Sequence, residues 1–396
     1  MPIHGNVKLL IDAIESTPLL NGRFKQLENV NIDLAADTRR GNFSVVFRGI
    51  DEATGKTVAL KFYDPSPAAA IDQYRSDAFA RESEILQTLL NQKRCLQLER
   101  SLDTYLLNLT GPAGTMVLPC RYFAVEWLAD EIDAFFLAPS TGKPIDEAII
   151  KLELFHKIVL AVQSLHQHEV FHRDLKHDNL RSVTRALQQV VVAIDLGTAA
   201  RFNSRYIQAG YTHQVGAGAY AAPEAICGLA ANREVAPLTD IYALGCFLFE
   251  LFNLDRYFFA LRAQNPDLLI RLGVMATHVT ERTDEKVQLA QWHTALAALG
   301  SGVAPVPILS PGNTLPPGIA TLVGELMESL TAFDYRRRNI GFGRIITRIQ
   351  LALKVLKNDR AYQKRVAARR LRRAQRLAKQ RAADARAARQ KAIGAP

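Results

Sequence analysis

"FHRDLKHDNL", residues 171–180, places His172, Arg173, Asp174, Lys176 and Asn179 within eight positions. An aspartate in such a loop can orient a hydroxyl and accept its proton late in a phosphoryl transfer. A lysine two residues on can neutralise charge on the moving group. An asparagine five residues after the aspartate can ligate a magnesium ion. A charged surface turn is the plain alternative, and this order and spacing argue against it. Sixteen positions after Asn179, the apolar run "VVVAIDLG" ends in Asp195-Leu196-Gly197. A carboxylate at a strand end followed by glycine can hold a metal that bridges two phosphates. Such a turn is common by itself; its place downstream of 171–180 gives it weight.

The rest of the chain sets bounds on this reading. Its 396 residues, 48% hydrophobic and 22% charged, can bury one large core or two lobes. Cys95, Cys120, Cys227 and Cys246 are scattered and form no CxxC pair, which argues against a disulfide framework or zinc site and fits a reducing compartment. The N-terminus lacks a basic leader and carries Asp12 and Glu15 within its apolar stretch, so it does not read as a secretory signal. The most apolar run, Ile241 to Phe252, is short, contains Glu250 and reads as a buried helix. A soluble, cytoplasmic protein is expected.

Residues 1–32 carry an amphipathic helical pattern (Val7, Leu9, Leu10, Ile11, Ile14) and read as an N-terminal helical extension. Strand-like runs at Phe43–Phe47, Thr57–Phe62 and Val117–Leu128 flank a helical stretch, Ile71 to Leu90, in a small β-rich segment over 33–128. Residues 129–353 are mostly helical, clearest at Glu147–His168 and Thr239–Phe252, with a less regular insertion at about 262–318 containing one helix, Glu285 to Leu299. Residues 354–396 form a basic tail. The expected fold is α+β and bilobal, with a cleft between a small β-rich lobe and a larger helical one.

With these motifs in this order, the chain resembles the eukaryotic-type (Hanks-type) Ser/Thr protein kinase family from residue 33 to about 350. The resemblance implies ATP as phosphoryl donor with Mg²⁺ or Mn²⁺, Asp174 as catalytic base, Lys176 as a phosphate contact, and Asn179 and Asp195 as metal ligands. "VALK" ends in Lys61, matching the strand lysine that contacts ATP, and Glu82 in "ARESEIL" matches its helix partner. "FAVEWL" resembles the hinge between the lobes, with Val125 as gatekeeper and backbone groups of Glu126 and Leu128 against adenine. Ala59 would pack on the purine. "GAGAYAAPEA" resembles the segment closing the activation loop, so Glu224 should pair with Arg338, and Asp240 should brace the catalytic loop from below. The implied product is a phosphorylated Ser or Thr of a protein substrate. A soluble member of the family is expected, with a bacterial origin among the options.

Several positions depart from the family pattern. In "TRRGNFSVVFRG", residues 38–49, only Gly41 remains of the glycines that usually let backbone N–H groups approach phosphates. Arg39 and Ser44 stand at the other two places, Phe43 can cap the turn, and Val46 would cover the adenine. The expectation is a working lid, because no bulky or acidic side chain lies at its tip. Arg181 stands where an aliphatic residue usually lies under the adenine, and Ala217 replaces a threonine common in Ser/Thr-specific members. Arg173 beside Asp174 suggests control by phosphorylation, with Thr212 and Ser204 as candidates. Two rivals stay open: a pseudokinase scaffold, and a small-molecule phosphotransferase, against which Ala222-Pro223-Glu224 with Arg338 argues.

From Lys354 to Lys391 there are fifteen Lys/Arg and two Asp, so the tail makes the protein basic and the remainder carries −3 of the total +10. Its Ala, Arg, Lys and Gln are strong helix formers. Val366, Leu371 and Leu377 are too sparse for a coiled-coil seam. Three readings remain at this point: a solvated helix or disordered extension, an electrostatic grip on nucleic acid or ribosomes, and a docking arm for an acidic partner.

Overall fold

Alternation along three strands decides which side of the small lobe faces the cleft. The computed structural model describes residues 3–41, 44–111, 114–140, 142–201, 218–230, 232–280, 284–309, 315–338 and 340–393. Helix α1 (Gly5–Ser16) precedes β1 (Phe24–Asn29), β2 (Ile32–Asp33), β3 (Thr38–Arg39), β4 (Ser44–Asp51) and β5 (Thr57–Tyr63). Helices α2 (Pro67–Ala70) and α3 (Gln73–Thr88) lead to β6 (Leu98–Gly111) and β7 (Gly114–Glu126). The sheet runs β1-β4-β5-β7-β6 and is antiparallel throughout.

Successive side chains of a strand point to opposite faces. Val45 and Phe47 of β4, Val58, Leu60 and Phe62 of β5, and Tyr122 and Ala124 of β7 therefore share one buried face. Helix α1 covers that face with Val7, Leu10, Ile11 and Ile14, the i, i+3, i+4, i+7 stripe of an amphipathic helix. Each of these side chains contributes about 1.5–3 kcal/mol by burial. The intervening residues, Ala59, Phe123 and Val125, join the core shared with the large lobe, and Val46 packs against it. The N-terminal helical extension, residues 1–32, thus covers the sheet with α1, and β1 within it pairs with β4. The helical stretch expected over 71–90 begins afresh at Gln73, because the Asp72 side chain accepts the Arg75 amide and caps α3 there.

The large lobe starts with β8 (Asp130–Glu131) and α4 (Pro144–His166). A hairpin of β9 (Leu180–Arg185) and β10 (Gln188–Ala193) follows the catalytic-type loop. Then come α5 (Pro223–Ile226), α6 (Ala236–Phe252), α7 (Tyr257–Gln264), α8 (Leu268–Thr280), α9 (Glu285–Leu299), α10 (Pro317–Leu330) and α11 (Phe342–Ile393). Helix α6 is buried on nearly all sides and forms the lobe's axis. No single helix among the described residues is long and apolar enough to cross a membrane. Helix α9 lies where the sequence pattern places it, whereas α8 emerges from a stretch read as irregular. Its Gly273, Val274, Thr277 and Val279 are weak helix formers, and packing of Leu272, Met275 and Val279 into the core overrides them. All four cysteines are buried and free. The basic tail is the continuation of α11, an unbroken helix of 52 residues.

Candidate active site

The glycine-poor loop of residues 38–49 is held by side-chain braces. Gly41 has φ +84°, in the left-handed region that favours glycine, while a Cβ there would meet nothing within 4 Å. Backbone conformation, not crowding, is what requires this one glycine. Arg39 reaches back to Asp64 at the exit of β5 and also donates to the Ser44 carbonyl (3.2 Å). Burial alone would raise the Asp64 pKa, but the Arg39 guanidinium and the Ser66 amide hold it below the usual carboxylate value. Asn31 donates to the carbonyls of Arg40 and Ser44 (both 2.9 Å) and accepts the Val46 amide (2.8 Å). Sequence reasoning missed both anchors, because neither residue stands next to its partner in the chain. Phe43 lies outside the described residues.

Cross-strand register assembles the cleft wall. Val46 lies opposite Lys61, and Ala59 opposite Val125, all on the face turned towards the large lobe. Lys61 Nζ donates to both carboxylate oxygens of Glu82 on α3 (2.7 and 2.8 Å) and to Asp195 Oδ1 (3.2 Å). Burial disfavours the ammonium, yet the carboxylates of Glu82 and Asp195 outweigh it and raise the Lys61 pKa above the ordinary lysine value. Lys61 in turn holds the Asp195 carboxyl below its usual range. Glu82 Oε1 also accepts the Leu196 amide (3.2 Å), so the turn after β10 is registered directly on α3. Asp195 adopts the left-handed backbone conformation (φ 62°), and Leu196 beside it is fully buried.

Below this group, the catalytic-type loop hangs on one buried carboxylate. Asp240 on α6 accepts the amides of His172 and Arg173 (both 2.8 Å) and the His166 ring of α4 (2.9 Å). Arg173 holds a positive φ (64°), and its guanidinium donates to the carbonyls of Thr198 (2.8 Å) and Ala230 (3.3 Å). The His172 ring bonds the Ile194 carbonyl (2.9 Å). Asn179 Nδ2 donates to the Asp174 carbonyl (2.9 Å), and Lys176 Nζ lies 3.9 Å from Asp174 Oδ2. Glu224 and Arg338, both fully buried, form the expected pair through two bonds (2.5 and 2.7 Å).

At the hinge, the Glu126 amide is taken by the Gln97 carbonyl (3.0 Å) and the Trp127 amide by Thr57 (3.3 Å). Of the backbone groups expected to meet adenine, the Glu126 N–H is therefore committed to the fold, and Leu128 is the first residue past the sheet pairing. The Glu126 carboxylate is bound by the Gln97 amide and by Arg185 of β9, which also donates to the Lys93 and Cys95 carbonyls. This latch between hinge and large lobe was invisible to motif reading. Arg181 donates to the carbonyls of Asp178 and Leu180 (both 2.9 Å) and pairs with Glu131 (3.3 Å). Its charge is thus compensated within the β8–β9 corner. Thr212, Ser204 and Ala217 lie outside the described residues, so the phosphorylation reading stays an expectation.

A comparison with known families agrees with this geometry. Residues 39–338 match the protein kinase domain. The chain belongs to the protein kinase family. The kinase is similar to cyclin-dependent kinase B2-1 of Arabidopsis thaliana, at 26% identity over 68% of this chain and 78% of that protein. Cell division control protein 2 homolog 3 of Trypanosoma brucei brucei is 26% identical over 61% of this chain and 68% of its own length. The serine/threonine-protein kinase SSN3 of Scheffersomyces stipitis is 39% identical, over 29% of this chain and 26% of its own.

A kinase domain uses ATP and a divalent cation. The donor set fits a hard cation: with Asn179 Nδ2 bonded to Asp174 and Asp195 Oδ1 on Lys61, Asn179 Oδ1 and Asp195 Oδ2 are oxygens of the type Mg²⁺ takes. Among the described residues a second group, Asp133, His177 and Asp178, brings one ligand atom each within 4.8 Å of one another, with His177 Nδ1 at 3.0 Å from Asp178 and 3.3 Å from Asp133.

One buried acid gives the large lobe a pH dependence. Glu250 on α6 is fully buried; its Oε2 accepts the Tyr220 hydroxyl (2.7 Å), and its Oε1 has no hydrogen-bond partner among the described residues. Burial pushes its pKa from 4.5 to about 7, against the opposing effects of Tyr220, His177 and Arg256. A carboxyl whose pKa is raised on folding contributes stability that is complete below pH 4.5 and lost as pH rises through about 7. Glu250→Gln keeps the acceptor for Tyr220 without the charge. It is expected to melt above the parent at pH 8, by an amount equivalent to roughly 3 kcal/mol at most, and close to it at pH 4.5. Thermal melts at the two pH values decide this, and equal melting at pH 8 would refute the assigned cause.

Proposed function

We propose that this kinase transfers the γ-phosphoryl group of ATP to serine or threonine hydroxyls of protein substrates. The observation that carries the proposal is the joint contact of Lys61 with Glu82 and Asp195, set beside the Asp174–Asn179 bond. Lys61, fixed by Glu82, holds the donor's phosphates in line with the acceptor. Asp174 orients the incoming hydroxyl, and its carboxylate takes the hydroxyl proton as the oxygen–phosphorus bond forms and ADP leaves. Lys176 offsets the charge that develops on the transferred group. Asn179 and Asp195 hold Mg²⁺, which when bound supplies positive charge at the phosphate oxygens. The Glu224–Arg338 pair supports protein rather than small-molecule acceptors, since it anchors the segment on which a peptide would lie. The names of the similar proteins support Ser/Thr preference, and a cytoplasmic location belongs to the same proposal.

The test is incubation with Mg²⁺ and γ-labelled ATP, with and without a generic basic protein, beside Asp174→Asn and Asp195→Ala. Label on the protein acceptor that disappears in both variants, with mass spectrometry placing it on Ser or Thr, is the expected result. Label on small hydroxyl compounds alone, or transfer that persists in Asp195→Ala, would overturn the assignment.

A further inference from the structure

Helix α11 leaves the kinase body as a rod whose described side chains beyond Arg360 are nearly all exposed. Ile345, Ile349, Ala352 and Leu356 bury its first four turns in the large lobe, where it packs on α4 and α10. Lys357–Glu153 (2.7 Å) and Arg360–Asp146 (3.4 Å) mark the exit along α4. From Ala361 to Lys379 every side chain except that of Val366 is exposed. Residues 364–379 hold eight Lys/Arg and no acid. Like charges stand at helical i, i+4 spacing (Arg365, Arg369 and Arg373; Arg372 and Arg376), where they repel one another. Salt screens that repulsion in part, and an anionic partner would relieve it further.

The kind of anion follows from what the rod lacks and from its shape. Its large exposed apolar side chains, Tyr362, Leu371 and Leu377, are spaced nine and six residues apart. Those steps set Leu371 opposite Tyr362 and bring Leu377 back to within about 60° of it, but Arg369 and Arg373 stand on that same side, so the described residues form no continuous apolar face. A protein interface needs a desolvated apolar centre and an interfacial membrane helix needs an apolar side; neither is present. Six of the eight cations are arginines, whose planar fork matches phosphate oxygens in pairs. A bare helix about 10–12 Å across fits the major groove of B-form DNA, about 12 Å wide, with phosphates on either side. The corresponding groove of duplex RNA is too narrow and deep.

We propose that residues 361–393 form an arm that binds duplex DNA through its phosphates, lying in the major groove without reading sequence. This goes beyond the kinase reading and does not depend on it. Fluorescence anisotropy of the full-length protein with a mixed-sequence duplex of about 24 base pairs tests it. With about six phosphates neutralised, affinity is expected to fall about a thousandfold between about 50 and 200 mM salt. Replacing Arg369, Arg370, Arg372 and Arg373 together by glutamine, a good helix former, should flatten the log–log salt slope by about 3 to 4 while phosphoryl transfer to the generic substrate is unchanged. Absence of binding at low salt, a slope unaltered in the variant, or tighter binding of the unaltered protein to duplex RNA, to poly-glutamate or to phosphatidylserine vesicles would each overturn the proposal. The comparison among the four ligands needs only the unaltered protein, so it decides even if the variant folds poorly.

Discussion

Asp174→Asn is expected to lower the turnover rate by about 10²–10⁴-fold, the range over which a positioned general base contributes. The substitution keeps the side chain's size, and the bond from Asn179 to the Asp174 backbone carbonyl survives because it does not involve the carboxylate. Lys61, Glu82 and Asp195 are untouched, so ATP affinity should change little. The expected signature is thus a fall in kcat with KM for ATP nearly constant, which marks an interaction made in the transition state. Steady-state kinetics with a fixed protein acceptor reads it directly. A variant within threefold of the parent rate would show that proton acceptance by Asp174 is not part of the rate-limiting step.

Arg338→Ala is expected to destabilise the large lobe by roughly 3–5 kcal/mol, because it leaves a charge buried without its partner. Glu224 and Arg338 are both fully buried, and Arg338 also donates to the carbonyls of Ala332 (2.6 Å), Leu238 (3.1 Å) and Phe333 (3.2 Å). One side chain therefore satisfies four groups on three segments, and losing it strands all of them. The melting temperature should fall by roughly 5–10 °C, using the entropy of a domain of this size. Pairing Arg338→Met with Glu224→Gln should recover part of the loss, since removing both charges is milder than orphaning one. Equal destabilisation by the single and double changes would argue that packing, not charge, sets the cost.

The parts of the site that chemistry dictates were readable from local sequence. An aspartate, a lysine and an asparagine at fixed spacing, and an aspartate at a strand end, cannot change identity without changing the reaction, so Asp174, Lys176, Asn179 and Asp195 announce themselves. Lys61 and Glu82 were legible for the same reason, and their contact is formed. What escaped detection depends on long-range pairing. Strand β6 is an edge strand in which, among the described side chains, only Leu98 and Leu107 are buried, and its charges Glu99, Arg100 and Asp103 mask any alternation. The Arg185–Glu126 latch and the Asn31 and Arg39 braces join residues far apart in sequence, and nothing in either local stretch announces the other. Helix α1 was visible as amphipathic, but only the sheet shows what its apolar stripe covers.

Because α11 runs without a break from the lobe's core into solvent, the body and the arm turn as one piece. A flexible tether would raise the local concentration of every acceptor within its radius. A stiff one raises it only for acceptors that lie at the right distance and angle, and brings it near zero elsewhere. For a kinase held by such an arm, a hydroxyl's position on a shared scaffold would count for as much as the residues around it.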